Sequence, residues 1–261
     1  LPENLWGTNP DGVTGVRYEP SFIPNNTNKF DASVSNAAVY ASNEFRITRN
    51  LKSILGLRVE NYVQLYTGLN QQRVSLNDKE VIDDLDFFPS VNLIYSLSET
   101  QNLRFSFSGT IARPSFKEAS FAEILDPLTG RTFIGGFNID KDEFGNTVWD
   151  GNLQATHIDN FDLRWELFQK KGQTVAVSAF YKAFDKPIEI VQFVQAPNNF
   201  QPRNVGNGKV YGIEVELRKN LGFVSSVLEE FSLNTNVTVT ESSIEMSNTE
   251  YQARLTKARD G

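Results

Sequence analysis

Cysteine is absent from the 261 residues, and histidine and methionine each occur once. The lack of cysteine excludes a disulfide framework, a cysteine-based zinc site and a thiol nucleophile. A single histidine excludes a metal site built from two or three histidines of this chain. We therefore expect no metal, no other cofactor and no catalytic residue, and we do not predict an enzyme.

Blocks of one charge and long apolar runs are missing as well. The net charge is −7, and no stretch carries the dense lysine and arginine that nucleic acid binding requires, so no nucleic acid partner is expected. No run reaches the ~20 apolar residues of a membrane helix. The opening residues, LPENLWGTNP, have neither the basic nor the apolar region of a signal peptide.

Strict alternation of apolar and polar residues is the dominant pattern that remains. In YGIEVELR, at 211–218, tyrosine, isoleucine, valine and leucine alternate with charged residues. A period of two predicts β-strands. The runs with this pattern are 53–66, 90–98, 102–108, 161–167, 174–181, 211–218 and 231–240, and a less regular one covers 32–48.

The connections between these runs alternate in length. Short connections are predicted at 48–52, 98–102, 169–173 and 218–223, and long ones at 67–87, 113–158, 185–208 and from 241 onward. A membrane-spanning β-barrel has this arrangement, because its short turns lie at the periplasmic end and its long loops outside. The sequence therefore predicts an all-β fold, an antiparallel transmembrane β-barrel with long extracellular loops.

The two faces of the predicted strands differ sharply. One face is aliphatic or aromatic, as lipid requires, whereas the other is too charged for a dry core and suits a wet lumen. A soluble β-sandwich is the alternative, since one sheet face is often polar there. Tyr62 and Tyr66 lie on the polar side and fit a lumenal position as well as an interfacial one. The residues predicted to face the lumen are Arg58, Glu60, Arg104, Arg164, Glu166, Glu214, Glu216 and Arg218.

Three motifs resemble those of one protein family. GTIARPSFKE at 109–118 follows a strand and opens the longest loop. A block at 151–190 begins with GN and ends with SAFYKAFDKPIEI, and NVGNGKVYGIEVELRKNL lies at 204–221. Their order and spacing resemble TonB-dependent outer-membrane receptors, especially the large Bacteroidetes-type ones. The resemblance covers about residues 45–261.

The resemblance implies a barrel of about 22 strands, of which this chain supplies about eight. Residues 1–261 are then a single barrel segment, incomplete at both ends, that lacks the plug domain and the final strands. The implied location is the bacterial outer membrane, and the implied partners are membrane lipids, the TonB complex acting through the absent plug, and a surface lipoprotein lid. The implied function is active import of a scarce nutrient such as a glycan or siderophore. The alternative is a non-spanning surface or secreted β-domain that binds glycans.

The long loops hold the candidate ligand-binding residues, because loops on a rigid scaffold commonly carry recognition. Aromatic rings beside hydrogen-bonding groups suit a sugar ring or a siderophore, although the same rings could simply pack the loops. The candidates are Phe133, Trp149, Asp150, Asn152, Phe200 and Arg203. Arg113 precedes a proline and is predicted to end its strand, with a lumenal or gating role as the second possibility.

Overall fold

A computed structural model describes residues 6–8, 14–16, 28–169, 172–193, 195–246, 251–252 and 255. One large sheet dominates this part of the chain. It contains eight strands, and each adjacent pair is antiparallel. Two short strands, β1 (Trp6–Thr8) and β2 (Thr14–Val16), pair separately. The eight strands of the large sheet are β3 (Asp31–Arg46), β4 (Leu51–Leu69), β5 (Ser75–Ser98), β6 (Gln101–Ala112), β11 (Thr156–Gln169), β12 (Gln173–Asp185), β15 (Gly208–Asn220) and β16 (Ser232–Ile244).

Each predicted alternating run coincides with one strand of the large sheet, so the eight predicted strands are confirmed. Their spatial order follows the chain, from β3 to β6 and on through β11, β12, β15 and β16. This is a meander, in which each strand pairs with the next through one ladder. The antiparallel barrel segment expected from the sequence is the observed arrangement.

One predicted loop is wrong. Residues 67–87 are mostly strand, because β4 continues to Leu69 and β5 starts at Ser75, leaving only residues 70–74 between them. The connection predicted from 241 onward is also strand as far as Ile244, and residues 247–250, which it includes, lie outside the described residues. The long-loop end of the sheet therefore carries a tall β4–β5 hairpin beside two true long connections.

The apolar face of the sheet is open. Across the strands its side chains align, as Trp165 pairs with Val177 and Val177 with Val215. Ile213 is 55% exposed and Val239 is 72% exposed. Exposure at this level shows that no second layer of the described chain covers these side chains. The soluble-sandwich alternative would require such a layer.

The other connections at the opposite end of the sheet are short. Residues 47–50 and 99–100 join the first two pairs of strands. The last connection is longer and includes two 3-10 turns, Leu221–Phe223 and Ser226–Leu228. Asn220 begins the first of these turns, where its side-chain oxygen accepts a hydrogen bond from the Gly222 N–H at 2.7 Å.

The two long connections build a second, smaller sheet. Its strands are β7 (Glu123–Asp126), β8 (Arg131–Ile134), β13 (Ile188–Gln192) and β14 (Asn199–Asn204), in the order β13-β14-β8-β7. We call it the loop sheet. A parallel pairing of β14 with β8 joins the two connections. The first long connection also contains β9 (Asp140–Lys141) and β10 (Thr147–Trp149), which lie between β8 and β11 in the chain and pair with each other.

The loops pack onto the polar face of the large sheet. Ala119 and Leu153 from the first long connection cluster with Tyr62 of β4 and Ile82 of β5, and all four are buried. Tyr66 is fully buried and contacts Phe121 at 5.6 Å between ring centroids. Both tyrosines therefore lie under the loops and not in an outer aromatic girdle. No helix among the described residues has the length and apolarity to cross a membrane.

Candidate functional site

The polar face of the large sheet carries a network of ion pairs. Arg164 contacts Glu166 at 2.9 Å and Glu216 at 2.7 Å, and Arg104 contacts Glu166 at 2.7 Å. Direct cross-strand partners share a face, so the strand register places all eight residues predicted to face the lumen on the same side of the sheet. The polar face of the sheet therefore presents positive and negative side chains next to each other.

Arg113 forms a buried charge cluster at the long-loop end. Its guanidinium contacts Glu60 at 2.7 Å and Asp86 at 2.6 Å, and it lies 4.2 Å from the centre of the Tyr62 ring. The side chains of Arg113, Glu60 and Asp86 are only 13%, 8% and 8% exposed. His157 approaches Asp86 at 3.8 Å. One guanidinium therefore joins the end of β6 to both β4 and β5.

One feature of the sequence points to this cluster, namely an arginine followed by proline at the end of a predicted strand. β6 ends at Ala112, as predicted, and Pro114 is buried. The partners of Arg113 lie 53 and 27 residues earlier in the chain. Alternation placed Glu60 on the polar face but could not pair it with Arg113, since that contact depends on where the loop turns.

The loop sheet brings two candidate aromatic residues together. Phe133 on β8 and Phe200 on β14 are cross-strand partners, with ring centroids 5.8 Å apart. The Arg131 guanidinium lies 5.4 Å from the centre of the Phe200 ring. Phe133 is 42% exposed. This pair offers an accessible aromatic surface beside a cation, drawn from both long connections.

Two other candidates lie inside the loops. The Trp149 indole N–H donates to the Gly136 carbonyl at 2.7 Å, and its ring packs against the buried cluster. Arg203 is buried, contacts Asp140 at 2.6 Å and lies 4.7 Å from the Phe193 ring centre. The structure thus places both side chains where they fix the loops, with their polar groups already bonded.

Asp150 and Asn152 flank a tight turn. The Asp150 carboxylate accepts a hydrogen bond from the Asn152 N–H at 2.9 Å. Gly151 between them has φ of +81°, and a Cβ there would lie 2.5 Å from the Phe137 carbonyl oxygen. The turn therefore requires glycine. Both flanking side chains are exposed, and Asn152 lines a cleft described below.

Two aspartates fix the loop tips. Asp142 accepts hydrogen bonds from the Asn146 side chain at 2.8 Å and from the Asn146 backbone N–H at 2.7 Å. These bonds hold the pKa of Asp142 below its ordinary value. The Thr129 hydroxyl does the same to the pKa of Asp126. In the described part of the chain, no group of three or more acidic or histidine side chains is placed to hold a metal ion.

Comparison with known proteins decides the family. The model of a family described as "TonB dependent receptor-like, beta-barrel" matches residues 3–259. The chain belongs to this family of TonB-dependent receptors. Membership locates this receptor barrel in the bacterial outer membrane, as expected from the motifs. Comparison with curated protein sequences found no match.

Solved structures show the same fold at low identity. The siderophore receptor PirA from Pseudomonas aeruginosa has a TM-score of 0.53 and 16% identity, over 82% of this chain and 44% of that one. The FrpB iron transporter from Neisseria meningitidis has a TM-score of 0.54 and 11% identity, over 84% and 28%. The ferric citrate transporter FecA, in its unliganded form, has a TM-score of 0.57 and 16% identity, over 83% and 27%.

This receptor chain spans less than half the length of each of these structures. The structural similarity confirms the barrel fold predicted from the sequence, and the family match confirms the outer-membrane class. The Bacteroidetes-type subdivision stays a prediction. The alternative of a non-spanning β-domain is wrong, because the family is one of membrane barrels and the apolar face of the sheet is open.

Proposed function

We propose that this chain is part of a receptor that imports a scarce nutrient across the outer membrane with energy delivered by TonB. Family membership supports this proposal. The similar structures carry names of receptors or transporters for siderophores, iron and ferric citrate, so an iron chelate is one cargo class, and a glycan is the other. No covalent chemistry is needed, and the chain is proposed as a transporter component and not an enzyme.

The barrel wall and the loops have separate roles in this proposal. The wall contacts membrane lipid through its apolar face, while the ion-paired face lines the lumen. TonB acts through a plug domain, and a lipoprotein lid over the loops is proposed as a further partner. The loops capture the cargo first, because they stand at the long-connection end of the barrel.

The observation that carries the proposal is the pair formed by the exposed Phe133 and the half-buried Phe200. Two loops that are far apart in the sequence meet through a parallel strand pair and present these rings together. An aromatic face suits a sugar ring or the planar ring of a chelator, and Arg131 next to it suits an anionic group. Trp149 and Arg203 hold the two long connections in place through their bonds to Gly136 and Asp140.

Ring deletion tests the proposal. Phe133→Ala and Phe200→Ala in the full-length receptor should each weaken cargo binding roughly tenfold, which corresponds to about 1.4 kcal/mol. Phe144→Ala is the matched control, because Phe144 is a highly exposed ring on a turn of the same long connection. Titration against a panel of ferric siderophores and oligosaccharides measures cargo binding. Uptake in cells with and without TonB measures transport. Equal affinity of all three variants for the bound compound, or uptake that ignores TonB, would contradict the proposal.

A further inference from the structure

The hydrogen-bonded pairing of β5 with β6 stops before either strand ends. Its last pair at the long-loop end is Ser90 with Ser108. The next positions are Pro89, which has no N–H to donate, and Gly109, where an added Cβ would lie 3.3 Å from the Pro89 ring. Proline at this point ends the pairing of β5 with β6, as prolines in sheets do at edges.

Beyond Pro89 the strand β5 continues with a partner on one side only. β4 pairs with it from Phe88 down to Ile82. Among the described residues, no backbone group pairs with the opposite edge of residues 82–88. Alternate residues of an antiparallel strand direct their N–H and C=O groups to each side, so three or four residues offer unpaired groups along about 23 Å.

A cleft of about 430 Å³ lies beside this edge. β5 forms one wall, and residues 152–155 with His157 and Lys186 form the other. The cleft is acidic, because Asp83, Asp84 and Asp185 line it while Lys186 is the one lysine among its lining residues, and that lysine donates to Gln154 at 3.1 Å. Asp86 also lines it but is neutralised by Arg113.

We infer that the free edge of β5 is a docking site for an extended, lysine- or arginine-bearing segment of a partner protein, which adds to the sheet as a strand. An unpaired strand edge is a template for such addition, and main-chain hydrogen bonds supply the affinity. The carboxylates of Asp83, Asp84 and Asp185 supply the charge preference. This site is separate from the Phe133–Phe200 surface and does not depend on the cargo of the receptor.

Peptide binding to the full-length receptor in nanodiscs tests this inference. The probe is a fluorescent seven-residue peptide of alternating lysine and valine. Saturable binding is expected, with at least a tenfold loss for a glutamate–valine peptide, for the lysine peptide N-methylated at alternate residues, and for the Asp83→Asn/Asp84→Asn receptor. N-methylation removes donors from one edge of the peptide but leaves its charge, so it separates strand addition from simple charge attraction.

A position-specific readout completes the test. Residues 1–261 contain no cysteine, so Leu85→Cys and Val74→Cys each give this segment one exposed thiol, the first beside the cleft and the second at the hairpin tip, and any cysteine elsewhere in the receptor is replaced by serine. A lysine–valine peptide whose terminal cysteine is activated as a 2-thiopyridyl mixed disulfide should exchange with Leu85→Cys at least fivefold faster than with Val74→Cys, releasing 2-thiopyridone. Equal rates, undiminished binding of the N-methylated peptide, absence of saturable binding, or receptor dimers formed through this edge would overturn the inference.

Discussion

At the scale of single residues, Arg113 does the most to connect the wall with the loops. It places one positive charge between two buried carboxylates from neighbouring strands. Burying three ionised groups costs free energy that only close pairing offsets. Replacing all three charged residues together by uncharged ones should therefore cost less stability than removing one of them alone.

Arg113→Ala should destabilise the folded barrel by about 3–5 kcal/mol, because the buried Asp86 carboxylate loses its guanidinium partner and Glu60 keeps only Arg58 as a cationic partner. Urea unfolding of the receptor in detergent, followed by the gel mobility of folded barrels, measures the change. Arg113→Met combined with Glu60→Gln and Asp86→Asn should recover most of the loss. Arg131→Ala is the surface control, and its cost should stay within about 0.5 kcal/mol. An Arg113→Ala barrel as stable as that control would contradict the role of the cluster.

The sequence predicts which residue types form the candidate site, but not which of those residues are exposed and which are internal. The sequence indicated that aromatic rings and arginines of the long connections matter, and Phe133, which is exposed, and Phe200, which is half-buried, do meet. It could not separate them from Trp149 and Arg203, which are chemically similar but internal. That distinction arises from contacts 13 and 63 residues apart in the chain, which a local pattern does not encode.

At the scale of elements, the alternation of apolar and polar residues predicts a strand only where one face of the sheet is apolar and the other is polar. The membrane-spanning part of β15 alternates cleanly and was found within three residues at its start and two at its end. The upper β4–β5 hairpin, with NDKEVIDDLD at 77–86, is also strand, but its register shifts between Gln64 and Leu65 and between Tyr66 and Gly68, and polar residues occupy both of its faces. Its sequence therefore loses the period of two, and it was predicted as a loop.

The tip of this hairpin is bonded to the long loop. The Gln71 side chain donates to the Ile139 carbonyl at 2.9 Å and accepts from the Ile139 N–H at 2.9 Å. Gln71→Ala removes both bonds, worth about 1 kcal/mol at an exposed position, so trypsin cleavage after Lys141 should accelerate about fivefold. Gln72→Ala is the matched control, since the neighbouring side chain forms no hydrogen bond among the described residues. Equal cleavage of both variants would show that the contact does not hold the loop.

Neighbouring residues of β15 test the assignment of its faces. Val215→Arg should impede folding into lipid vesicles by about 2–4 kcal/mol, because it places a charge against acyl chains. Glu216→Ala should cost at most about 1 kcal/mol, since Glu216 is partly exposed and Arg164 keeps its contact with Glu166. Folding yield against lipid-to-protein ratio measures both. Tolerance of arginine at 215 together with failure of alanine at 216 would reverse the faces.

At the scale of the whole molecule, one rule explains the eight-stranded sheet. Apolar side chains point to one side, ionic side chains to the other, and each strand contributes to both surfaces. Open strand edges cannot lie in hydrocarbon, so a spanning sheet must close into a barrel. The loops then pack on the polar side at the end where the long connections lie.

Spin-label accessibility along 211–218 tests this rule most directly. Residues 1–261 contain no cysteine, so one labelled cysteine can be placed at each position of the full-length receptor in lipid bilayers once any cysteine outside this segment is replaced by serine. Positions 211, 213, 215 and 217 should collide mainly with oxygen, which dissolves in lipid, and positions 212, 214, 216 and 218 mainly with a water-soluble nickel chelate. The two accessibilities should therefore oscillate with a period of two and in opposite phase. Two accessibilities that rise and fall together, or an oscillation of inverted phase, would contradict a barrel wall with lipid on its apolar face and water on its charged one.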